Sequence, residues 1–454
     1  MNTNKKMTLS ARMAIGFMLF ALFFGAGNLI FPAQLGQQAG TNIGSAAIGF
    51  LITGVGLPLL GILAMGFSGS KNLQELASRV HPAYGLFFTA LLYLTIGPFF
   101  AAPRTGTVAY EVGIAPFVGQ GSDQIGLLIF TIIFFGVTLL FSLYPAKLVD
   151  NIGKILAPAL VILLAILLVV AVLNPMGSIQ SPVEGYQGGA FAKGFLEGYN
   201  TMDALASLVF GIIIITAIRS FGVTSKERIF TEVAKSGILA TVLLGLIYIG
   251  IAYLGATSTT VLGMFDNGGP VLSGAADHYF GTFGTLILAT VIILACLTTA
   301  IGLVTANAEY FHTLLPNISY KAFVVFFALL TFTIANFGLA NIINFSIPVL
   351  MFLYPLAIVL MLLTFTAPLF GNSQLVYRAT IAVTFLISIV DGLVALCDSL
   401  GIDILTWLVP ILTFYDNILP FYSEGLGWLL PAVIAIVVTG LIVKIQPEDI
   451  TENV

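Results

Sequence analysis

Apolar runs of helical length recur along nearly the whole chain, parted only by short polar connections, and this recurrence limits the possible folds more than any single motif does. A helix needs about 20 mostly apolar residues to cross a hydrocarbon layer of about 30 Å, and inside lipid the backbone has to satisfy its own hydrogen bonds, which leaves helices or closed barrels. The runs are too long for barrel strands. The residues are 59% hydrophobic and 8% charged, with a mean hydropathy of +1.07; a soluble domain carries about a quarter of its residues as charges, so the bulk of this chain cannot face water. The expected class is an all-α polytopic membrane protein of about 12 transmembrane helices.

Windows of helical length place the spans at residues 11–35, 41–66, 84–112, 124–144, 152–173, 197–219, 236–256, 281–306, 321–338, 345–370, 377–396 and 427–444. Between the last two, the apolar run 402–414 is too short to cross and reads as interfacial or re-entrant. With the amino terminus in the cytoplasm, an even count puts both termini there. The distribution of Lys and Arg tests that layout, because one missed helix would swap the sides of every later loop. Lys5, Lys6, Arg12, Lys71, Arg79, Lys147, Lys154, Arg219, Lys226, Arg228, Lys235, Lys321, Arg378 and Lys444 all fall inside, which leaves only Lys193 outside and Arg104 within a span. The outer loops carry Asp123, Glu184, Asp266, Asp277, Asp398, Asp403, Asp416 and Glu424. The expected location is an inner (cytoplasmic) membrane, and the basic start, which lacks a small-residue cleavage site, is expected to be retained.

Several function classes drop out. The longest polar connections, 174–195 and 257–280, cannot house a nucleotide-binding module, so ATP-driven transport by this chain alone is not expected, and no nucleic-acid partner or cofactor is suggested. His81, His278 and His312 lie near loops, and neither HExxH nor GxSxG occurs, so the chain does not read as an enzyme. Cys296 and Cys397 sit far apart in apolar stretches and read as packing residues.

Discontinuous helices at matching places in two halves are the best pointer to a transporter site, because an unwound turn frees backbone groups for a substrate or ion. In the first span Gly25-Ala26-Gly27-Asn28, followed by Pro32, gives low helix propensity in mid-membrane. In the sixth, Glu197-Gly198-Tyr199-Asn200-Thr201-Met202-Asp203 brings glycine, polar groups and two carboxylates into a segment that must cross lipid. A five-helix unit, 1–173, followed by a second, 197–370, would be inverted because five is odd, and spans one and six would be symmetry mates; residues 371–454 would add two helices and a cytoplasmic tail. For Gly25 and Gly27 the competing reading is close helix packing. Asn28 favours the break, since a polar side chain at that depth needs a partner, and carbonyls freed around Ala21 and Phe24 would suit a hard cation.

A second oxygen-rich spot is Ala295-Cys296-Leu297-Thr298-Thr299 in the eighth span, where two hydroxyls flank one helical face above the Ala295 carbonyl. Such hydroxyls suit sodium, or else simply bond their own i−4 carbonyls. Charges inside the membrane cost about 2.5 to 3.5 kcal/mol at a helix centre, which makes each one a functional candidate. Asp203 either faces the cavity or caps the inner half of helix six. Arg104 either pairs with a carboxylate such as Glu111 or Glu197 or extends outward, and reads as a structural gate rather than a substrate contact. Glu197 is otherwise a solvated boundary residue, and Asp391 has no assigned role.

The motifs FGAGNLIFP at 24–32 and GYNTMDALA at 198–206, with Gly97-Pro98 and Ala102-Pro103-Arg104-Thr105, closely resemble the branched-chain amino acid:cation symporter family of bacteria, and the likeness covers the whole chain. The resemblance implies import of leucine, isoleucine and valine with sodium by alternating access, in a LeuT-like fold of five-plus-five inverted repeats. GxGN in helix one and AxxTT in helix eight are also similar to sodium-binding segments of neurotransmitter:sodium symporters. That likeness implies one sodium ion held by carbonyls of Ala21, Phe24 and Ala295 with the hydroxyls of Thr298 and Thr299. The helix-six sequence departs from theirs, which puts a second ion at Asn28 and Thr201 in question. Substrate contacts would come from Gly25, Ala26, Gly27 and Asn28 on one side and Tyr199, Asn200, Thr201, Met202, Asp203 and Ala204 on the other, whose half-helix dipoles suit a zwitterion. One methylene is worth about 0.8 kcal/mol, so the sequence does not rank valine, leucine and isoleucine. The rival readings are a proton-coupled permease with Asp203 as the proton site and, further off, a channel-like protein.

Overall fold

The computed structural model describes residues 7–118, 123–144 and 147–445, with the backbone alone for 123 and 147–157. Lys5, Lys6, the tail beyond 445 and the side chains of Asp123, Lys147 and Lys154, all used in the charge argument, lie outside the described part.

Regular structure among the described residues is helical throughout. The first half runs through α1 (Leu9–Phe23), α2 (Ala26–Ala39), α3 (Ile43–Leu51), α4 (Leu57–Ser68), α5 (Leu73–Ala77), α6 (Pro82–Leu94), α7 (Ala101–Gly113), α8 (Asp123–Leu143) and α9 (Lys147–Leu173). After α10 (Glu184–Gln187) come α11 (Ala190–Glu197), α12 (Asp203–Ser220), α13 (Lys226–Leu262), α14 (Gly269–Leu314), α15 (Tyr320–Ala335) and α16 (Leu339–Thr366). The chain closes with α17 (Gln374–Leu400), α18 (Val409–Ile418) and α19 (Leu429–Ile445). Among the described residues 8 helical runs are long and apolar enough to cross a membrane, and Leu9–Phe23, Pro158–Leu173, Tyr320–Ala335 and Leu429–Ile445 are shorter apolar helices.

Two boundaries differ from the sequence reading. The eighth expected span is the later part of α14, whose helix starts twelve residues earlier and kinks at Gly281, where φ is +64° and glycine is the residue that tolerates it. The apolar run 402–414 becomes helical only from Val409, with Pro410 in its first turn, and α18 buries none of its residues.

The helices that carry the interruptions are gripped by small-residue contacts, the usual device where lipid supplies no hydrophobic drive between helices. A Cβ on Gly36 of α2 would run into the Ala252 carbonyl of α13, and one on Gly255 of α13 into the Ala33 carbonyl of α2. In the same way Gly49 of α3 abuts the Phe191 carbonyl of α11, and Gly194 of α11 abuts the Ala46 carbonyl of α3. α12 packs on α4, and α7 packs on α14.

Candidate functional site

The first interruption lies between α1 and α2. Phe24 (φ −73°, ψ 91°) and Gly25 (φ −115°, ψ −167°) are extended, and the helix resumes at Ala26. Pro32, expected to reinforce the break, instead sits inside α2. The Gly25 N–H, which in a continuous helix would bond the Ala21 carbonyl, donates to Asn28 Oδ1 at 3.3 Å. The Ala21 carbonyl is thereby released. Gly25 is not a close-packing glycine, since a Cβ there would find nothing nearer than 3.9 Å.

The second interruption lies between α11 and α12. Gly198–Thr201 forms a 3₁₀ turn, and Met202 follows in the left-handed region at φ +62°, a conformation strained for a residue with a side chain. Thr201 Oγ1 donates to the Gly198 carbonyl at 2.9 Å and accepts from the Asp203 N–H at 3.4 Å. Met202, not Asp203, holds the cap position of α12, so the capping role weighed for Asp203 is not realised.

Asp203 is instead directed at the first interruption. Asn28 Nδ2 donates to Asp203 Oδ2 at 2.5 Å and also contacts Tyr248 Oη, while Tyr248 Oη donates to Asp203 Oδ2 at 3.2 Å. Asn28, Asp203 and Tyr248 are 1%, 4% and 1% exposed. One amide thus ties α2, α12 and α13 together. Tyr248 was not singled out from the sequence, where it is one tyrosine in a long apolar helix; its hydroxyl has meaning only once α13 is packed against α2.

Arg104 is 2% exposed. Its Nη1 donates to the Asn200 carbonyl at 2.6 Å, its Nη2 to Ser346 Oγ at 3.2 Å, and its guanidinium lies 4.9 Å from the centre of the Phe31 ring. The expected pairing with Glu197 does not form: Glu197 bonds Lys193 at 3.4 Å and Asn200 Nδ2 at 2.9 Å. Glu111 sits two turns further along α7, roughly 10 Å along the axis, close to Gly269. Arg104 lies in the first turn of α7, which follows the kink at Gly97-Pro98, where Gly97 is non-helical (φ −90°, ψ −121°).

Asn28, Asp203 and Arg104 border one cavity of about 890 Å³. Among the residues expected to bind substrate or ion, Ala21, Gly25, Ala26, Gly27, Asn28, Thr201, Met202, Asp203, Thr298 and Thr299 line it, and so does Arg104. Phe24, Tyr199, Asn200, Ala204, Ala295, Glu111 and Glu197 do not. Tyr199 is spent on a stack with Tyr354, with ring centres 4.0 Å apart. The cavity follows α1, α12 and the later part of α14 and takes no residue of α11 and none of α2 beyond Asn28, so it opens from the interruptions to one side only.

Thr298 and Thr299 both donate to the Ala295 carbonyl, at 2.8 and 3.1 Å, the local bonding that competes with an ion role. Each hydroxyl oxygen nevertheless retains acceptor capacity. Thr299 lies beside the first interruption, its Cγ2 3.9 Å from where a Cβ of Gly25 would stand. Ala21, Thr298 and Thr299 line the same cavity and carry oxygens of the kind a hard monovalent cation takes, whereas the Ala295 carbonyl is already engaged twice.

Comparison with known proteins agrees in both sequence and fold. The family model for branched-chain amino acid transport proteins matches residues 8–446. The branched-chain amino acid permease BrnQ of Bacillus subtilis is 47% identical over 430 residues, covering 95% of this chain and 96% of that protein. BraB of the same organism is 48% identical over 425 residues (93% of each chain), and BrnQ of Escherichia coli is 40% identical over 424 residues (93% of each). Among solved structures, the inward-facing conformation of Mhp1 superposes with a TM-score of 0.61 at 14% identity, covering 96% of this chain and 90% of that one. Mhp1 in a closed conformation, described as a nucleobase-cation-symport-1 family transporter, gives 0.60 at 12% identity, covering 97% and 94%. The chain therefore shares the fold of Mhp1 and is a member of the branched-chain amino acid transport protein family.

Proposed function

We propose that the protein is a secondary active transporter that carries leucine, isoleucine and valine into the cell with sodium by alternating access. The observation that carries this reading is the meeting of two helix interruptions, Phe24–Asn28 and Gly198–Asp203, at a single 890 Å³ cavity bordered by buried polar groups. The names of the relatives, all branched-chain amino acid permeases or carriers, support the substrate class.

In this reading the chain crosses the membrane twelve times with both termini in the cytoplasm. Residues 1–173 and 197–370 form inverted repeats, and two further helices follow. The packing of α2 on α13 and of α12 on α4 is what a pseudo-two-fold relation between the repeats would produce, and it supports the division. The cavity, which follows the amino-terminal helix α1, then opens to the cytoplasm. Sodium binds Ala21 and Phe24 carbonyls and the Thr298 and Thr299 hydroxyls, with Ala295 orienting those hydroxyls. Substrate binds the turn at Gly25, Ala26, Gly27 and Asn28 and the facing Thr201, Met202 and Asp203, while Tyr199, Asn200 and Ala204 support that segment from behind. Sodium draws α1 to α14 and so presents that turn, which makes substrate prefer the ion-loaded state as coupling requires. A charge moving inward through about 100 mV releases about 2.3 kcal/mol, to which the sodium gradient adds.

Leucine uptake into proteoliposomes tests this. A sodium gradient is expected to drive uptake, an inside-negative potential to accelerate it, and Thr298→Ala to raise the half-saturating sodium concentration by about tenfold, the loss of roughly 1.4 kcal/mol of ion binding. Uptake driven by a proton gradient without sodium would replace sodium by a proton at Asp203. A Thr298→Ala protein with ordinary sodium dependence would remove the ion from α14.

A further inference from the structure

Two charged side chains of opposite sign, Arg104 and Asp203, border the same cavity, and neither has a charged partner among the described residues. Arg104 donates only to neutral groups, the Asn200 carbonyl and Ser346, and its Nε has no partner. Asp203 receives bonds only from the Asn28 amide and the Tyr248 hydroxyl, both on Oδ2. A buried charge without a counter-charge is costly, and a chain that needed only structural bonds at these places would be better served by neutral groups.

The two charges also share one frame. The Arg104 Nη1 lies 3.5 Å from where a Cβ of Gly27 would stand, and the next residue, Asn28, is the one that holds Asp203. The Asn200 carbonyl that accepts from Arg104 lies three residues before Asp203 on the second interruption. Arg104 is thus fixed by neutral groups of the second interruption and of α16, and Asp203 by neutral groups of the first interruption and of α13. A cation and an anion lining one cavity suit a molecule that carries both an anionic and a cationic group on one carbon. Phe20, Ile96, Ala206 and Phe210 give the same cavity an apolar wall.

We propose that Arg104 binds the α-carboxylate and Asp203 the α-ammonium of the transported amino acid, so that recognition of the zwitterion rests on a pair of side-chain charges in addition to backbone dipoles. This inference rests on the transport reading above and assigns Arg104 to the substrate rather than to a gate.

The test uses binding of radiolabelled L-leucine to the purified full-length protein in sodium, with competition by leucinamide, which keeps the ammonium and lacks the carboxylate, and by 4-methylpentanoate, which keeps the carboxylate and lacks the amine. Loss of either charge contact is expected to cost about 30-fold or more in affinity, the lower end for breaking a buried charge pair. Both analogues should accordingly compete with wild type about 30-fold more weakly than leucine. Arg104→Gln should lose leucine affinity by a similar factor while leaving leucinamide within about threefold of its wild-type value, and Asp203→Asn should do the reverse, weakening leucine and leucinamide but sparing 4-methylpentanoate.

An Arg104→Gln protein that loses leucine and leucinamide equally overturns the proposal, because a purely structural arginine holding the Asn200 carbonyl would act on both. If that variant does not fold, Arg104→Lys and the wild-type analogue series still decide: wild-type protein that accepts leucinamide as well as leucine overturns it. Wild-type protein that binds none of the branched-chain amino acids overturns the transport reading and this inference together, whereas normal leucine binding with the wrong analogue pattern overturns this inference alone.

Discussion

The two interruptions face each other across one cavity and are built by different means. The first is a place where the helix is simply weak. Gly25 is extended in a conformation open to any residue, nothing crowds it, and its N–H turns to Asn28 instead of Ala21. The second is forced by its surroundings. A Cβ on Gly198 would strike Thr53 Oγ1 and lie 3.0 Å from the Gly54 nitrogen, and Met202 is driven to positive φ while 2% exposed. The first break thus rests on weak local helix propensity, and the second on a crowded platform around Thr53 and Gly54.

Substitutions can break or sharpen this contrast. The largest effect is expected where the two meet: Asn28→Ala leaves the buried Asp203 with Tyr248 alone and the Gly25 N–H without its acceptor, a loss of about 1.5–3 kcal/mol that thermal unfolding in detergent would register together with loss of leucine uptake. Unchanged stability in that variant would separate the two breaks energetically. Next, Gly198→Ala should overpack the platform against Thr53 and cost about 1–3 kcal/mol in the same assay. Met202→Ile, which puts a β-branched residue at positive φ, should cost about 1 kcal/mol more than Met202→Leu, and equal melting temperatures for the two would show that the left-handed turn relaxes freely. The smallest change in stability belongs to Gly25→Ala, which favours helix by about 1 kcal/mol or less at an uncrowded site. Its expected signature is a slower transport cycle with nearly unchanged melting, and a large destabilisation would mean that the first break is as rigid as the second.

The same contrast explains how far the site was legible before any coordinates. Gly25, Gly27 and Asn28 stand out against an apolar background because a local dip in helix propensity is written in the residues themselves. The polar run around Asn200 also stood out, but not its left-handed Met202, since a methionine gives no hint of positive φ. Pro32 pointed to a helix end and sits inside α2. Arg104 stands out as a charge in a span, but its partners are neutral, a carbonyl of the turn after α11 and a serine of α16, which no spacing in the chain marks out. Tyr248 gave no signal, because one hydroxyl in a long apolar helix becomes a site residue only through its neighbours.

The amino-acid sequence alone determined the solvent, the helical class and the weak point in the first span, since each follows from residues adjacent in the chain: apolar length against bilayer thickness, and propensity within one turn. Only the tertiary structure decided that Asn28 bonds a carboxylate 175 residues away, that Arg104 has no counter-charge among the described residues, and that the cavity opens to one side of the breaks. Those outcomes depend on which faces of which helices are brought within about 3 Å of one another, and hydrogen bonds at that range are fixed by packing rather than by pattern.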